Sequence, residues 1–299
     1  MGVTLLRWGA AEYERGPFVG LPEGVEVVTA SGPDAPLEAA DVLVVPSKSR
    51  VDAVVVQRLR RCRLVITTTS GHDHLDVAAL AAAGIVVCRL PLVRRDAVVE
   101  TALAMILGLT RRLGPFQAAA AAGRWERANL ATYNATGLGT VAVVGVGVIG
   151  TRMCAVLDAL GARVLRVDPR LPDGVPLRPA LAEADVVTLH CALTAENRGM
   201  LGGDALAGMR AGAVLVNTAR GPLVDVPAAV AAVRAGHLAG LGLDVFPTEP
   251  TDLAALAAPN ILVTPHAAGW HPRLGELVSE GVAAAVRAWI RGEPVPFPV

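Results

Sequence analysis

Net charge, cysteine pairs and long apolar runs are what this 299-residue chain does without, and lysine is nearly absent. Its 27 Lys and Arg are balanced by 27 Asp and Glu, so bulk electrostatics offers no nucleic-acid surface. A hydrophobic fraction of 53% likewise excludes the composition of a disordered chain. Lys48 is the only lysine. With the abundant alanine, this is a compositional habit, because arginine serves wherever a surface merely needs charge. No apolar run approaches the roughly eighteen residues that span a bilayer. The amino terminus lacks the apolar stretch of a signal peptide, and Leu6 stands where a myristoylation signal needs Ser or Thr. Cys62, Cys88, Cys154 and Cys191 lie far apart, with no C-x-x-C pair and no metal-type spacing to histidine. They read as small apolar fillers in a reducing compartment. Internal repeats and low-complexity tails are also missing. The expectation is a soluble, cytoplasmic protein without a metal site, a membrane or a nucleic-acid partner.

What is present is alternation. Val3 to Trp8, Val25 to Thr29, Val42 to Val45 and Leu64 to Thr67 are short β-rich runs. Between them lie loops and helical stretches such as Val51 to Arg60. Asp76 to Ala83 reads as a helix and Ile85 to Cys88 as a further strand. Strands alternating with helices predict a parallel sheet. Asp96 to Arg112 carries an apolar stripe too broad for a surface helix and is expected to be buried between domains. Gly114-Pro115 should end it, Phe116 to Ala122 should form another helix, and Gly123-Arg124-Trp125 should open an irregular stretch. Further on, a proline-rich loop from Pro169 to Pro179 precedes a short helix. Strands follow at Asp185 to His190, Ala213 to Asn217, Leu241 to Val245 and Ile261 to Thr264, with helices at Gly203 to Met209 and Pro227 to Arg234. A last helix, Leu274 to Arg291, has no strand after it and should pack back on the first domain. The fold class predicted is α/β, with two doubly wound parallel-sheet (Rossmann-like) domains and an interdomain cleft. Residues 1–93 plus 271–299 would form a discontinuous substrate domain and 94–270 a dinucleotide-binding domain.

The densest chemical signal is Thr140 to Asp168. A β-branched run, Thr140 to Val144, feeds into Gly145-x-Gly147-Val148-Ile149-Gly150, and apolar Met153, Val156, Leu157 and Leu160 recur at helical spacing. Gly161 ends that helix, Ala162 to Val167 reads as the next parallel strand, and Asp168 stands at its carboxyl end. Glycines let the backbone turn tightly and approach a pyrophosphate. The helix amino terminus offers free N–H groups, and the acid accepts from a ribose hydroxyl. Strand, glycine turn, helix and acid in that order predict a dinucleotide site, with NAD as cofactor because Asp168 would repel a 2′-phosphate. Arg170, two residues on, could partly accommodate that phosphate, which predicts preference and not exclusivity.

Three later segments put polar residues directly after apolar strands, where open α/β sheets bind their ligands. They are Asn217-Thr218-Ala219-Arg220-Gly221, Asp244-Val245-Phe246-Pro247-Thr248-Glu249-Pro250 and Thr264-Pro265-His266. Taken singly, Arg220 could be a surface charge, Glu249 a helix-capping acid and His266 a hydrogen-bonded loop residue. Three such residues after consecutive strands, beside a dinucleotide turn, suit hydride transfer coupled to proton transfer. Arg220 has the forked guanidinium that grips a planar carboxylate and polarises a carbonyl. His266 can protonate the developing alkoxide, and Glu249 within reach would favour its imidazolium form.

These motifs resemble the D-isomer-specific 2-hydroxyacid dehydrogenase family. The resemblance rests on Asp185-Val-Val-Thr-Leu-His-Cys, Val216-Asn-Thr-Ala-Arg-Gly-Pro-Leu-Val-Asp225, Gly242-Leu-Asp-Val-Phe-Pro-Thr-Glu-Pro250 and Thr264-Pro-His-Ala-Ala-Gly269. It extends to Ser70-Gly71-His72-Asp73-His74-Leu75-Asp76, similar to the loop that holds the substrate carboxylate in that family. By resemblance, Arg220, Glu249 and His266 form the catalytic trio. Ser70, Gly71 and Arg220 contact the substrate, Asp244 meets the nicotinamide carboxamide, and His190 lies by the adenosine half. Gly145, Gly147, Val148, Ile149, Gly150, Asp168 and Thr218 complete the cofactor contacts.

The chain departs from the family pattern where Ala192 replaces a usual proline, Pro46 a common arginine, and Cys88-Arg89-Leu90-Pro91 a segment in which asparagine is common. Arg89, Arg94 and Arg95 could line the pocket and suit a second anionic group, or be solvated charges around a hinge. His72 and His74 read as loop hydrogen-bonders. The function predicted is an NAD-dependent oxidoreductase, expected as a homodimer, interconverting a small 2-oxo acid and its D-2-hydroxy acid. Its rivals are a formate- or phosphite-type dehydrogenase and an NAD(H)-sensing binding protein or co-repressor on the same fold. Ser70, where a phosphite enzyme would carry lysine, weighs against the phosphite option.

Overall fold

A computed structural model describes residues 2–9, 16–126, 137–256 and 258–299. The chain divides into two compact units, residues 1–94 with 270–299 and residues 95–269. In the first unit, β1 (Val3–Trp8), β2 (Val25–Ala30), β3 (Val42–Val45), β4 (Leu64–Thr67) and β5 (Val86–Arg89) form one sheet in the order β2-β1-β3-β4-β5. Every pairing in it is parallel. β3 and β4 are buried along their whole length, as unbroken apolar runs require when helices cover both faces. On one face Leu6, Leu43, Val45, Val65 and Val87 pack with Val56 and Leu80. Those two residues belong to α1 (Ala53–Arg58) and α2 (Val77–Ala82). On the other face Leu5, Val42, Val44, Leu64 and Ile66 meet Leu274, Val278, Val282 and Val286 of α9 (Leu274–Ile290). Burying each such side chain contributes about 1.5–3 kcal/mol. The short helices depend on their caps: Asp52 accepts from Val54 N and Val55 N, and Asp76 from Ala79 N.

The second unit holds β6 (Thr140–Val144), β7 (Arg163–Val167), β8 (Val186–Leu189), β9 (Ala213–Asn217), β10 (Leu238–Leu243) and β11 (Ile261–Val263). They make a six-stranded parallel sheet in the order β11-β10-β9-β8-β6-β7. Ala142, Val144, Leu165, Val187, Leu215 and Leu241 face one apolar layer. Alternating Val141, Val143, Val186, Val214 and Val216 face Met105, Ile106 and Leu109 of α3 (Leu92–Thr110) together with Met153 and Leu157 of α5 (Val148–Ala159). Two parallel-sheet α/β domains are therefore present.

Four element starts differ from the sequence reading, each for a local reason. α3 begins at Leu92, ahead of the expected Asp96, immediately behind Pro91, whose fixed φ suits a helix entrance. α4 (Leu113–Ala121) and α6 (Leu177–Glu183) contain Pro115 and Pro179, residues that had marked loops. Both prolines sit in the first helical turn, where backbone N–H groups have no intrahelical partner to lose. Arg112, left-handed at φ 52°, makes the corner between α3 and α4. β10 starts at Leu238, not Leu241, with a register shift between Leu238 and Gly240. Gly240 lacks the branched side chain that marks a strand in sequence. The irregular stretch expected after Trp125 lies largely at 127–136, outside the described residues. Among the described residues no helix is long and apolar enough to cross a membrane, and no group of three or more His, Cys, Asp or Glu could hold a metal.

Candidate active site

The glycine turn sits where β6 hands over to α5. Gly145 is at φ 89°, and its N–H donates to Val167 O at 2.8 Å, tying the turn to the end of β7. A side chain at Gly145 would collide with the backbone of Cys191, and one at Gly150 with the Gly145 carbonyl. Those two glycines are demanded by the protein's own packing. Gly147 is different: a Cβ there would meet no atom within 4 Å, and Gly147 caps α5 without any side-chain hydrogen bond. The open side of Gly147 and the first-turn N–H groups beginning at Val148 and Ile149 fit a pyrophosphate.

Asp168, 5% exposed, closes the far side of the turn. Its Oδ2 accepts from Val146 N at 2.9 Å and Arg170 Nη2 at 2.8 Å, and its Oδ1 from Arg170 N and Arg170 Nε, both at 3.0 Å. The Arg170 guanidinium, with help from the backbone N–H groups and against burial, holds this carboxyl well below the usual carboxylate range. His190 follows β8. Its N–H donates to Val144 O at 2.7 Å, and its Nε2 lies 3.0 Å from Thr188 Oγ1. Nδ1 is buried without a hydrogen-bond partner among the described residues. Burial pushes this imidazole down to about 4, so the ring is neutral near pH 7.

The other end of the sheet edge is organised by registry. Leu243 pairs with Asn217 on one side and Val263 on the other, so the segments after β9, β10 and β11 leave the sheet together. Asn217, fully buried, donates through Nδ2 to Arg220 O at 2.9 Å and accepts from Ala219 N at 3.0 Å, clamping the Thr218 to Arg220 loop. Thr218 is buried and its hydroxyl has no hydrogen-bond partner among the described residues. Arg220 Nη1 donates to Ala219 O at 2.7 Å, and Gly221 then opens a short 3₁₀ turn.

Asp244, 2% exposed, receives Thr264 Oγ1 at 2.6 Å, Ala267 N at 2.8 Å and Ala268 N at 3.1 Å. Its own backbone links to Asn217 O at 3.0 Å and accepts His266 N at 2.7 Å. That bracket holds His266 at φ 53°, in the left-handed region that residues other than glycine occupy only uncommonly. His266 Nδ1 meets Glu249 Oε2 at 2.7 Å, and Glu249 Oε1 accepts from Phe246 N at 3.0 Å. A carboxylate acceptor places the proton on Nδ1, leaving Nε2 for an incoming group.

In the first unit, Ser70 and Gly71 follow β4 on a loop that a side-chain network shapes. Thr67 Oγ1 lies 3.0 Å from Thr69 Oγ1 and 3.1 Å from His74 Nε2, while Thr69 Oγ1 donates to Gly71 O at 2.8 Å. Arg89 Nη1 reaches Ser70 O at 3.4 Å. Arg95 is engaged with Asp96 at 2.8 Å, which also takes Arg152 at 3.2 Å. The structure thus joins Glu249 to His266 and Asp244 to the His266 loop, and sets Arg170 on Asp168. His74 is a loop hydrogen-bonder, as its sequence context implies; sequence reasoning missed its partners Thr67 and Thr69, although the run Thr67-Thr68-Thr69-Ser70 was their visible signal. It also missed Asn217 as the clamp of the Arg220 loop.

A family model described as D-isomer specific 2-hydroxyacid dehydrogenase, NAD binding domain, matches residues 103–268. D-3-phosphoglycerate dehydrogenase of Mycobacterium leprae is 35% identical over 294 residues, covering 92% of this chain and 55% of that protein. The chain therefore spans about half the length of the first curated relatives it matches. Glyoxylate reductase of Korarchaeum cryptofilum is 33% identical over 271 residues, covering 86% of this chain and 81% of that one. Among solved structures, D-lactate dehydrogenase from Aquifex aeolicus, complexed with NAD and lactic acid, superposes with a TM-score of 0.83 at 26% identity, covering 97% of this chain and 96% of the other.

Proposed function

The chain belongs to the D-isomer specific 2-hydroxyacid dehydrogenase family, and on that premise we propose that it is an NAD-dependent oxidoreductase interconverting a small 2-oxo acid and its D-2-hydroxy acid. The observation that carries this reading is the 2.7 Å pair of His266 Nδ1 and Glu249 Oε2, on a segment that leaves the sheet in step with the Arg220 loop. Bound NADH would supply a hydride to the carbonyl carbon. Arg220 grips the substrate carboxylate and polarises the carbonyl, its fork matching two oxygens at once. His266 Nε2 delivers a proton to the carbonyl oxygen, while Glu249 fixes the ring and offsets the imidazolium charge before transfer. In the oxidative direction Nε2 takes the hydroxyl proton back.

The glycine turn at Gly145, Gly147, Val148, Ile149 and Gly150, with Asp168, His190, Thr218 and Asp244, is proposed to hold the dinucleotide. Ser70 and Gly71 are proposed as contacts of the substrate carboxylate. Residues 94–270 would be the dinucleotide-binding domain and the remainder the substrate domain, in a cytoplasmic homodimer acting on a small molecule. Oxidation of NADH followed by absorbance against a panel of 2-oxo acids, glyoxylate and pyruvate among them, tests the reading. Turnover of at least one with D-stereochemistry in the product is expected. NADH binding without reduction of any 2-oxo acid would overturn it in favour of a dinucleotide-sensing protein.

A further inference from the structure

The link from α1 to β4 carries Arg58, Arg60, Arg61 and Arg63, and the four are matched unequally. Arg58 pairs with Glu38 at 2.7 Å and Arg61 with Asp41 at 3.0 Å. Arg60 and Arg63 have no acidic partner among the described residues, and Arg63 Nη1 donates only to the Cys62 carbonyl, at 2.8 Å. These two line a cavity of about 570 Å³ between α1 and α2, within the roughly 300–1,000 Å³ of small-molecule sites. Its walls include Ala53 and Val56 of α1 and Ala79 and Ala82 of α2, at the three-residue spacing that puts each pair on one helix face. Alanine side chains are too short to fill the space between two helices, which leaves an apolar groove with cations on its rim. Both helices end here, at Leu59 and Ala83. Each helix end carries about half a negative charge, so about one positive charge of the two guanidinia stays uncompensated.

We propose that this groove is a second ligand site, for a small amphiphilic anion with an aliphatic body and a carboxylate or phosphate head, and that its occupancy orders the loop of Ser70 and Gly71. The body lies against the alanine and valine walls, and the head takes the guanidinium forks of Arg60 and Arg63. Coupling follows from how the same two helices begin. Val51 N donates to His74 O at 2.9 Å and Asp76 N to Val51 O at 2.8 Å, while Asp52 and Asp76 cap α1 and α2. Six residues of helix span only about 9 Å, so a ligand that fixes the spacing of α1 and α2 also steadies residues 70–76. An effect of that ordering on catalysis rests on the reading of Ser70 and Gly71 as substrate contacts; binding in the groove does not.

Titration calorimetry on the full chain with hexanoate and hexyl phosphate, against acetate, inorganic phosphate and hexanol, tests the site. One site per chain is expected, and whichever of the two amphiphiles binds tighter assigns the head group. Hexanoate should bind at least about tenfold tighter than acetate, since each buried methylene strengthens binding by up to about fourfold, and at least about tenfold tighter than hexanol, which lacks the charge. The double change Arg60→Gln with Arg63→Gln should weaken both amphiphiles by about tenfold or more. Ala82→Phe should do the same by filling the groove with both guanidinia in place. All three positions are exposed, so melting midpoints should stay near wild type. Bound hexanoate should slow amide hydrogen exchange at residues 70–76 but not in residues 95–269, and lower KM for the 2-oxo acid by about fivefold. Acetate or inorganic phosphate binding as tightly as the amphiphiles, or unchanged affinity in either variant, would overturn the site. Binding without slowed exchange at 70–76 would overturn the coupling. Slowed exchange in a chain that reduces no 2-oxo acid would uphold the groove and remove the substrate reading instead.

Discussion

Asp168 and Asp244 are both nearly sealed carboxylates at the carboxyl ends of strands in one parallel sheet, yet they are satisfied in opposite ways. Asp168 takes half of its hydrogen bonds from an exposed guanidinium. Asp244 takes all of those named above from a threonine hydroxyl and two backbone N–H groups of the loop that carries His266. The first arrangement leaves a carboxylate that a ligand can claim by exchanging one donor for another. The second is a fastener: removing it frees the loop. The sheet edge therefore has an exchangeable half at the glycine turn and a locked half around His266, and the locked half is where reacting groups need fixed geometry.

The sharpest break between the halves should come from His266→Ala. Turnover is expected to fall by about two to four orders of magnitude, the usual worth of a positioned acid. NADH affinity by calorimetry should be unchanged, because the proposed dinucleotide contacts lie mainly at Gly145 to Asp168. A parallel loss of NADH binding would show that the halves are not separable. His190 probes the exchangeable half through pH. Burial holds its folded value at about 4, against 6.5 for the ordinary ring, so between those values the unfolded chain binds more protons and stability rises with pH. The advantage is complete above about pH 6.5 and is lost as pH falls toward 4. Between about pH 7 and about pH 4.5 this amounts to roughly a hundredfold in the folding equilibrium. Urea midpoints of wild type and His190→Asn at the two pH values should diverge accordingly. The Asp168 carboxyl, held low, contributes a separate loss only at still lower pH, beginning near its ordinary value of 3.8.

Arg220→Lys should damage KM and kcat together, by about one to two orders of magnitude in kcat/KM, since an ammonium cannot reproduce a forked contact. A change in KM alone would assign Arg220 to uniform binding. The smallest effects test the two aspartates directly. Asp244→Ala strands buried donors and should cost about 1–3 kcal/mol, lowering the melting midpoint by several degrees. Asp168→Ala should leave the midpoint closer to wild type and weaken NADH by about tenfold, as expected for a lost charge-assisted hydrogen bond. Equal melting shifts in the two variants would erase the distinction between fastener and exchangeable acid.

How much of this was legible depends on range along the chain. The glycine turn was readable because strand, turn, helix and acid are contiguous, and each glycine's role depends on neighbours close in sequence or on the next strand. Arg220, Glu249 and His266 were readable as polar residues following apolar runs. The pairing of Glu249 with His266 was expected as well and is present at 2.7 Å, but which ring nitrogen it engages was not legible, because that depends on how the β10 and β11 loops fold back on each other. Pro115 and Pro179 misled as loop markers, since a proline's effect turns on whether it falls in the first helical turn, which sequence leaves open by a few residues. Arg170 was noticed for its charge, but its fork around Asp168 is a matter of side-chain direction.

By itself, then, the sequence determined the alternation of strands and helices, the parallel sheets and the positions of the polar segments after strands, because periodicity and turn chemistry act over a few residues. Tertiary structure alone decided the strand order β11-β10-β9-β8-β6-β7, which aligns Asn217, Leu243 and Val263 and so brings the Arg220, Asp244 and His266 segments to one edge. It also decided which carboxylate is locked and which is exchangeable. Those outcomes depend on donors far apart in sequence or on side-chain direction, and a hydrogen bond extends only about 3 Å, so they exist only once the sheet has set its register.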